Sequence, residues 1–183
     1  MAVAFVCGAL AAASCRQDMH DQPKYIPLRT STFFADVRSA RPLVADTVAR
    51  GQLRDDALRF TGKVNGADAT MFPYPIDEAI LRRGQERYDI YCAPCHARTG
   101  EGDGMIVRRG YRRPPSYHDD RLRNAPVGHF FDVMTNGFGA MPDYAAQITP
   151  EDRWAIAGYI RALQLSRRAN IADVPPSERG KLQ

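Results

Sequence analysis

Cys92-Ala93-Pro94-Cys95-His96 constrains this chain more than any other stretch. Two thiols three positions apart, with a histidine directly after the second, match the attachment site of a c-type haem. The spacing has a mechanical basis. Cysteines about one helical turn apart can form thioethers to the two vinyl groups of one porphyrin, and the adjacent His96 then projects toward the iron as its proximal ligand. Other uses of a CxxC pair fit less well. A closed zinc site takes four ligands, and the remaining cysteines, Cys7 and Cys15, lie near the N-terminus. The other histidines, His20, His118 and His129, form no HxxxH pair. A thioredoxin-type site stands between a strand and a helix, and no βαβ pattern surrounds this one. One covalent haem c, held by Cys92 and Cys95, is the expected cofactor.

Two amphipathic helices frame the motif. Residues 76–92 run straight into it, with Ile80, Gly84 and Tyr88 recurring every fourth position and Leu81 and Tyr91 widening the same face. Pro75 marks the start, because proline is not tolerated in a helix interior. Near the other end, Thr149-Pro150-Glu151-Asp152 is a helix start with a hydroxyl N-cap, proline at N1 and a carboxylate at N3. Ile156, Tyr159, Ile160 and Leu163 then share one face, Trp154 precedes them, and the pattern stops near residues 166–168. Glycine on an apolar face lets another helix approach closely, which makes these two helices partners through Gly84. A third short helix is predicted over 127–136, apolar at Phe130, Phe131, Val133 and Met134 and stopped by Gly137. Thr99–Gly104 is a glycine-rich turn. It lacks the Lys-Ser/Thr ending and the preceding strand of a phosphate loop.

A glycine and an aromatic at those offsets before CxxCH, together with Ile156 and Tyr159 on a C-terminal helix, resemble a class I cytochrome c. The resemblance implies an all-α fold of three to five helices around one covalent haem. Its first and last helices would cross at right angles through Gly84 and Tyr88 against Ile156 and Tyr159. It also implies that the carbonyl of Pro114 or Pro115 accepts the proton on the His96 ring and so orients it. Gly139-Ala140-Met141-Pro142 resembles the family's distal loop, with Met141 as second axial ligand through its soft thioether. A core role for Met141 is the competing reading. Met105 is only nine residues past His96 and is badly placed to reach the other haem face, and Met134 lies on a helix face where packing is expected. Arg112 and Arg113 are either haem propionate contacts or part of a solvated basic loop. Ligation by His96 and Met141 closes both axial positions, so the iron would move single electrons rather than bind oxygen or peroxide, and methionine raises its potential. A haem enzyme with an open distal site is the rival.

The N-terminal part reads differently. Residues 1–14 are small, apolar and uncharged, as in the core of a signal peptide. The missing positive region points to a start upstream. Leu10–Ser14 before Cys15 resembles a lipoprotein processing site, which would make Cys15 an acylated N-terminus with enough lipid for stable anchoring. Residues 15–75 show no clear period, apart from possible helical patches near 44–49 and 55–60. They carry Tyr25, Phe33, Phe34, Phe60, Phe72 and Tyr74, and are expected to form an arm along a partner. The haem domain is expected over 76–170, with a loose tail at 171–183.

Asp18–Tyr25, Phe33-Phe34, Arg41-Pro42 and Thr47–Gly51, taken with the haem domain, resemble the mono-haem cytochrome subunit of bacterial alternative complex III. One departure is Asp46, where glycine is expected. The resemblance implies a subunit of a quinol-oxidising complex that also holds a multi-haem cytochrome, an iron–sulfur subunit and integral membrane subunits. Such a subunit sits on the periplasmic face of the inner membrane and passes electrons to a soluble cytochrome or an oxidase. It is not an enzyme on its own. A free lipid-anchored shuttle is the nearest alternative. The net charge of +4 is spread among both signs, which gives no nucleic-acid footprint. No run of about 20 apolar residues is present to span a bilayer.

Overall fold

The computed structural model describes residues 19–181. Cys7 and Cys15, and with them the expected signal segment and lipidation site, lie outside the described residues. No helix among the described residues is long and apolar enough to cross a membrane. The chain divides into two units between Leu53 and Arg54.

The larger unit is helical: α1 (Ala57–Thr61), α2 (Glu78–Tyr91), α3 (Ala93–His96), α4 (Asp120–Arg123), α5 (Val127–Asn136), α6 (Pro150–Ser166) and α7 (Pro176–Arg179). Its only described sheet is a minimal antiparallel hairpin, β1 (Lys63–Val64) and β2 (Ala67–Asp68), with Lys63 opposite Asp68. Asn65 and Gly66, both at positive φ, turn the hairpin as a two-residue loop requires.

Helix starts follow the caps. The Asp77 carboxylate accepts from the Ile80 amide at 2.8 Å, so the N-cap of α2 stands two residues beyond Pro75 and the helix begins at Glu78. Thr149 Oγ1 accepts from the Asp152 amide at 3.2 Å, with Pro150 at N1 of α6. Gly137 ends α5 at the expected residue.

Helices α2 and α6 pack through Gly84. A Cβ placed there would lie 2.1 Å from the Ala155 carbonyl oxygen. The backbone met is thus that of Ala155, one residue before the expected Ile156, and Tyr159 supplies the aromatic contact, its ring 5.3 Å from that of Tyr88. At the edge of the contact, Arg83 forks onto Asp152 with Nε–Oδ1 at 2.7 Å and Nη2–Oδ2 at 3.1 Å. The pair is part-exposed, so solvent screens most of its attraction; its planar fork fixes register more than stability. Tyr88, Phe131, Ile148, Trp154, Ile156 and Ile160 fill the core.

The boundary expected at Pro75 lies inside this unit. Residues 54–75 fold onto the helices because Trp154 needs a partner on each side. Its Nε1 donates to the Arg59 carbonyl at 2.9 Å, and its ring meets Phe72 edge-on with centroids 5.8 Å apart. The hairpin docks on α5 where Gly128 leaves room: a Cβ there would lie 2.1 Å from the Gly62 carbonyl oxygen, and the Gly128 amide donates to the Ala69 carbonyl at 2.8 Å. Phe72 and Tyr74 therefore serve the core rather than an arm.

Residues 19–53 contain no described helix. The helix expected near 44–49 does not form. Asp46 stands at φ 58°, in the left-handed region where glycine is favoured and aspartate tolerated, and Thr47 Oγ1 donates to the Val44 carbonyl to close a turn. A bridge between Thr30 and Arg38 closes a loop in which Tyr25, Phe33 and Phe34 cluster, with Arg41 4.0 Å above the Phe34 ring. Leu28, Phe33 and Leu43 remain exposed.

Replacing Gly84 by alanine should destabilise the protein by about 3 kcal/mol, since the new methyl meets backbone rather than a side chain that can turn away. Gly180→Ala meets nothing within 4 Å and should change stability by less than about 0.5 kcal/mol. Denaturant melts followed by far-UV circular dichroism compare the two.

Candidate functional site

Cys92 joins two helices. Its amide donates to the Tyr88 carbonyl as α2 ends, and its carbonyl accepts from Cys95 N at 3.1 Å and His96 N at 2.8 Å as α3 turns. Both thiols are free and stand on one helical turn. Cys92 is buried, and burial, then its neighbour Cys95, pushes its thiol up to about 12. His96 is 8% exposed, and burial lowers its ring to about 4. The imidazole is therefore neutral near pH 7, with a nitrogen lone pair to offer a metal. Its Nδ1 is buried without a hydrogen-bond partner.

The glycine-rich turn wraps back under this motif. Gly102 N donates to the His96 carbonyl at 2.9 Å, Gly104 N to that of Cys95 at 3.0 Å, and Ile106 N to that of Pro94 at 3.0 Å. A Cβ at Gly104 would fall 2.3 Å from the Pro94 carbonyl oxygen, which is why glycine stands there. The Tyr88 hydroxyl donates to the Ala97 carbonyl at 2.7 Å and ties the turn to α2.

The expected hydrogen bond from His96 to Pro114 or Pro115 is not formed in this structure. The Pro114 carbonyl instead abuts Gly102, where a Cβ would lie 2.4 Å from its oxygen. Tyr117 flanks the imidazole, stacked with centroids 4.7 Å apart and planes at 8°. Arg113 donates to the Glu101 carbonyl at 3.0 Å, which ties it to the glycine-rich turn.

Met141 is half-buried and packs against the cluster that holds Cys92, Tyr117, Phe130 and Met134. Met134 is a core residue and Met105 is exposed. The Met141 loop is a tight turn in which Phe138 and Met141 exchange both backbone hydrogen bonds at 3.0 Å. Tyr144 beside it is pushed up by burial and by the nearby Cys95 and Cys92, and its ring meets Tyr91 edge-on.

Sequence reasoning missed the residues that hold the Tyr117 wall. Gln164 Nε2 donates to the carbonyls of Tyr117 at 2.8 Å and Leu122 at 3.3 Å. Arg161 donates to the carbonyls of Arg123 and Ala125 while lying 5.1 Å from the Phe130 ring. Nothing in the sequence around Gln164 and Arg161 marks them for that role. The usable signal was the stretch 115–126, where one short helix leaves most carbonyls in need of donors from elsewhere.

Two free thiols on one turn, a neutral imidazole between an aromatic wall and the glycine wrap, and a thioether on the same cluster fit a covalently held haem c. Residues 79–160 match the family described as cytochrome c oxidase, cbb3-type, subunit III. That span is a cytochrome c domain, of the type that binds haem covalently and carries electrons, and the helical architecture fits class I. Among solved structures, a chain of the Kuenenia stuttgartiensis reducing HAO-like protein complex is similar at 21% identity and a TM-score of 0.45. The match covers 51% of this chain and 48% of that one, so this chain spans about half of the solved chain's length. No curated protein matches the sequence.

Gly102→Ala should cost roughly 1–3 kcal/mol, because φ is +78° and the methyl meets the Pro114 carbonyl. Gly110→Ala carries only the dihedral penalty, since nothing lies within 4 Å of its Cβ, and should cost less. Urea midpoints of the two variants separate the packing contribution from the backbone one.

Proposed function

We propose that this protein is a mono-haem electron carrier anchored at a membrane and built into a larger quinol-oxidising assembly. The observation that carries the reading is a CxxCH turn whose Cys92 lies in the apolar cluster that Met141 packs against, with His96 stacked on Tyr117 of the same cluster. Cys92 and Cys95 would hold the group through thioethers, with His96 and Met141 as axial ligands. Bound there, haem c supplies reversible one-electron chemistry. The chain's own residues keep the imidazole neutral, wall it with Tyr117 and exclude water from one side. An axial pair closed by histidine and methionine favours a carrier over an enzyme with an open distal site.

Placement in a complex akin to alternative complex III rests on the motifs in residues 18–51 and on their exposed apolar side chains. Leu28, Phe33 and Leu43 are between 75% and 99% exposed, a poor arrangement for a free tether and a suitable one for an arm that packs on another subunit. The partners would be a multi-haem cytochrome, an iron–sulfur subunit and integral membrane subunits. A soluble cytochrome or an oxidase would be the acceptor. Acylated Cys15 would hold the chain on the periplasmic face of the inner membrane.

Met141→Ala should abolish the far-red ferric absorption characteristic of sulfur on haem iron while leaving haem covalently attached on a denaturing gel. An unchanged spectrum would remove Met141 from the axial position. Isolation from native membranes in mild detergent should recover the haem with several co-purifying chains. Recovery at monomer size would favour the free shuttle.

A further inference from the structure

The tip of the methionine loop has little to hold it. Gly137 at φ 77° and Gly139 at φ 60° flank Phe138, and Gly139 and Ala140 are exposed. Inside the loop, the paired backbone hydrogen bonds of Phe138 and Met141 close the turn. From outside, one described side chain bonds its tip: the Tyr111 hydroxyl donates to the Ala140 carbonyl at 2.8 Å. Ala140 directly precedes Met141.

Tyr111 is itself tied to the opposite end of the site. Its amide donates to the Ile106 carbonyl at 3.2 Å, and the Ile106 amide donates to the carbonyl of Pro94, which stands between the two cysteines. Gly110 at φ 102° makes the bend that brings Tyr111 into place. A continuous strap therefore runs from the attachment turn through Ile106 and Tyr111 to the residue before Met141. Tyr111 is 46% exposed and fills no core space.

We propose that Tyr111 is a positioning residue for Met141, its hydroxyl holding the distal loop against the turn that carries Cys92, Cys95 and His96. The inference rests on Met141 being the distal ligand. With the hydroxyl removed, the two glycines let the loop swing, and an external base competes for the sixth position more easily. Tyr111→Phe keeps the ring and deletes only the donor.

The test is an imidazole titration of the full-length ferric holoprotein, followed by loss of the far-red sulfur-to-iron absorption. Loss of one such hydrogen bond should lower the imidazole concentration at half displacement roughly 2- to 10-fold in Tyr111→Phe. The reduction potential should fall with it, because a loosened methionine favours the reduced iron less. Tyr74→Phe deletes a comparable hydroxyl, which donates to the Glu151 carbonyl at 3.4 Å away from the loop, and should titrate like the unmodified protein. A Tyr111→Phe titration superimposable on the unmodified one, with the absorption still lost in Met141→Ala, overturns the role of Tyr111 alone. An equal shift in Tyr74→Phe also overturns it, since the effect is then general loosening. Absorption that survives Met141→Ala removes the ligand reading, and the strap proposal with it.

Discussion

The contact between the Gly84 backbone and the Ala155 carbonyl sets the geometry of everything around it. Only at a residue without a side chain can two helices come this close, and the approach fixes α2 both along and around its axis. Tyr88 follows one turn later and Cys92 one turn after that, so the attachment turn inherits its position from a packing contact eight residues upstream. Cys92 ends one helix and begins the next, which leaves no slack between the helix crossing and the two thiols.

Much of this was legible because the signals were local. Asp77, Thr149-Pro150 and Gly137 delimit helices through their own hydrogen bonds or dihedrals, and Gly84 and Tyr88 stand at helical spacing on an apolar face. What escaped the sequence was long-range. Residues 54–75 have no period because their order comes from Trp154, nearly a hundred positions away, which bonds the Arg59 carbonyl and packs on Phe72. The patch near 44–49 has helical composition, but Asp46 adopts a left-handed conformation that ends any helix. Tyr117 could not be singled out either, since nothing in its neighbours announces that it stacks on an imidazole twenty-one positions earlier.

The glycines after the motif illustrate how one composition serves different ends. A glycine-rich stretch next to a helix end can cradle a phosphate with its amides. Here the Gly102 and Gly104 amides donate inward, to the carbonyls of His96 and Cys95, and the missing side chains make room for the carbonyls of Pro114 and Pro94. The direction of the donors decides the role, and the sequence does not display direction.

Gln164 and Arg161 carry a consequence for the order in which the molecule comes into being. The segment that presents Tyr117 to His96 has its carbonyls satisfied from α6, the last long helix of the chain. A polypeptide is made from its N-terminus, so Cys92, Cys95 and His96 emerge about seventy residues before Gln164 does. Throughout that interval the carbonyls of Tyr117, Arg123 and Ala125 lack their donors from α6, and Gly84 has no Ala155 to meet. The His96 imidazole thus leaves the ribosome before the helix that secures its aromatic wall, and that support is among the last parts to be written.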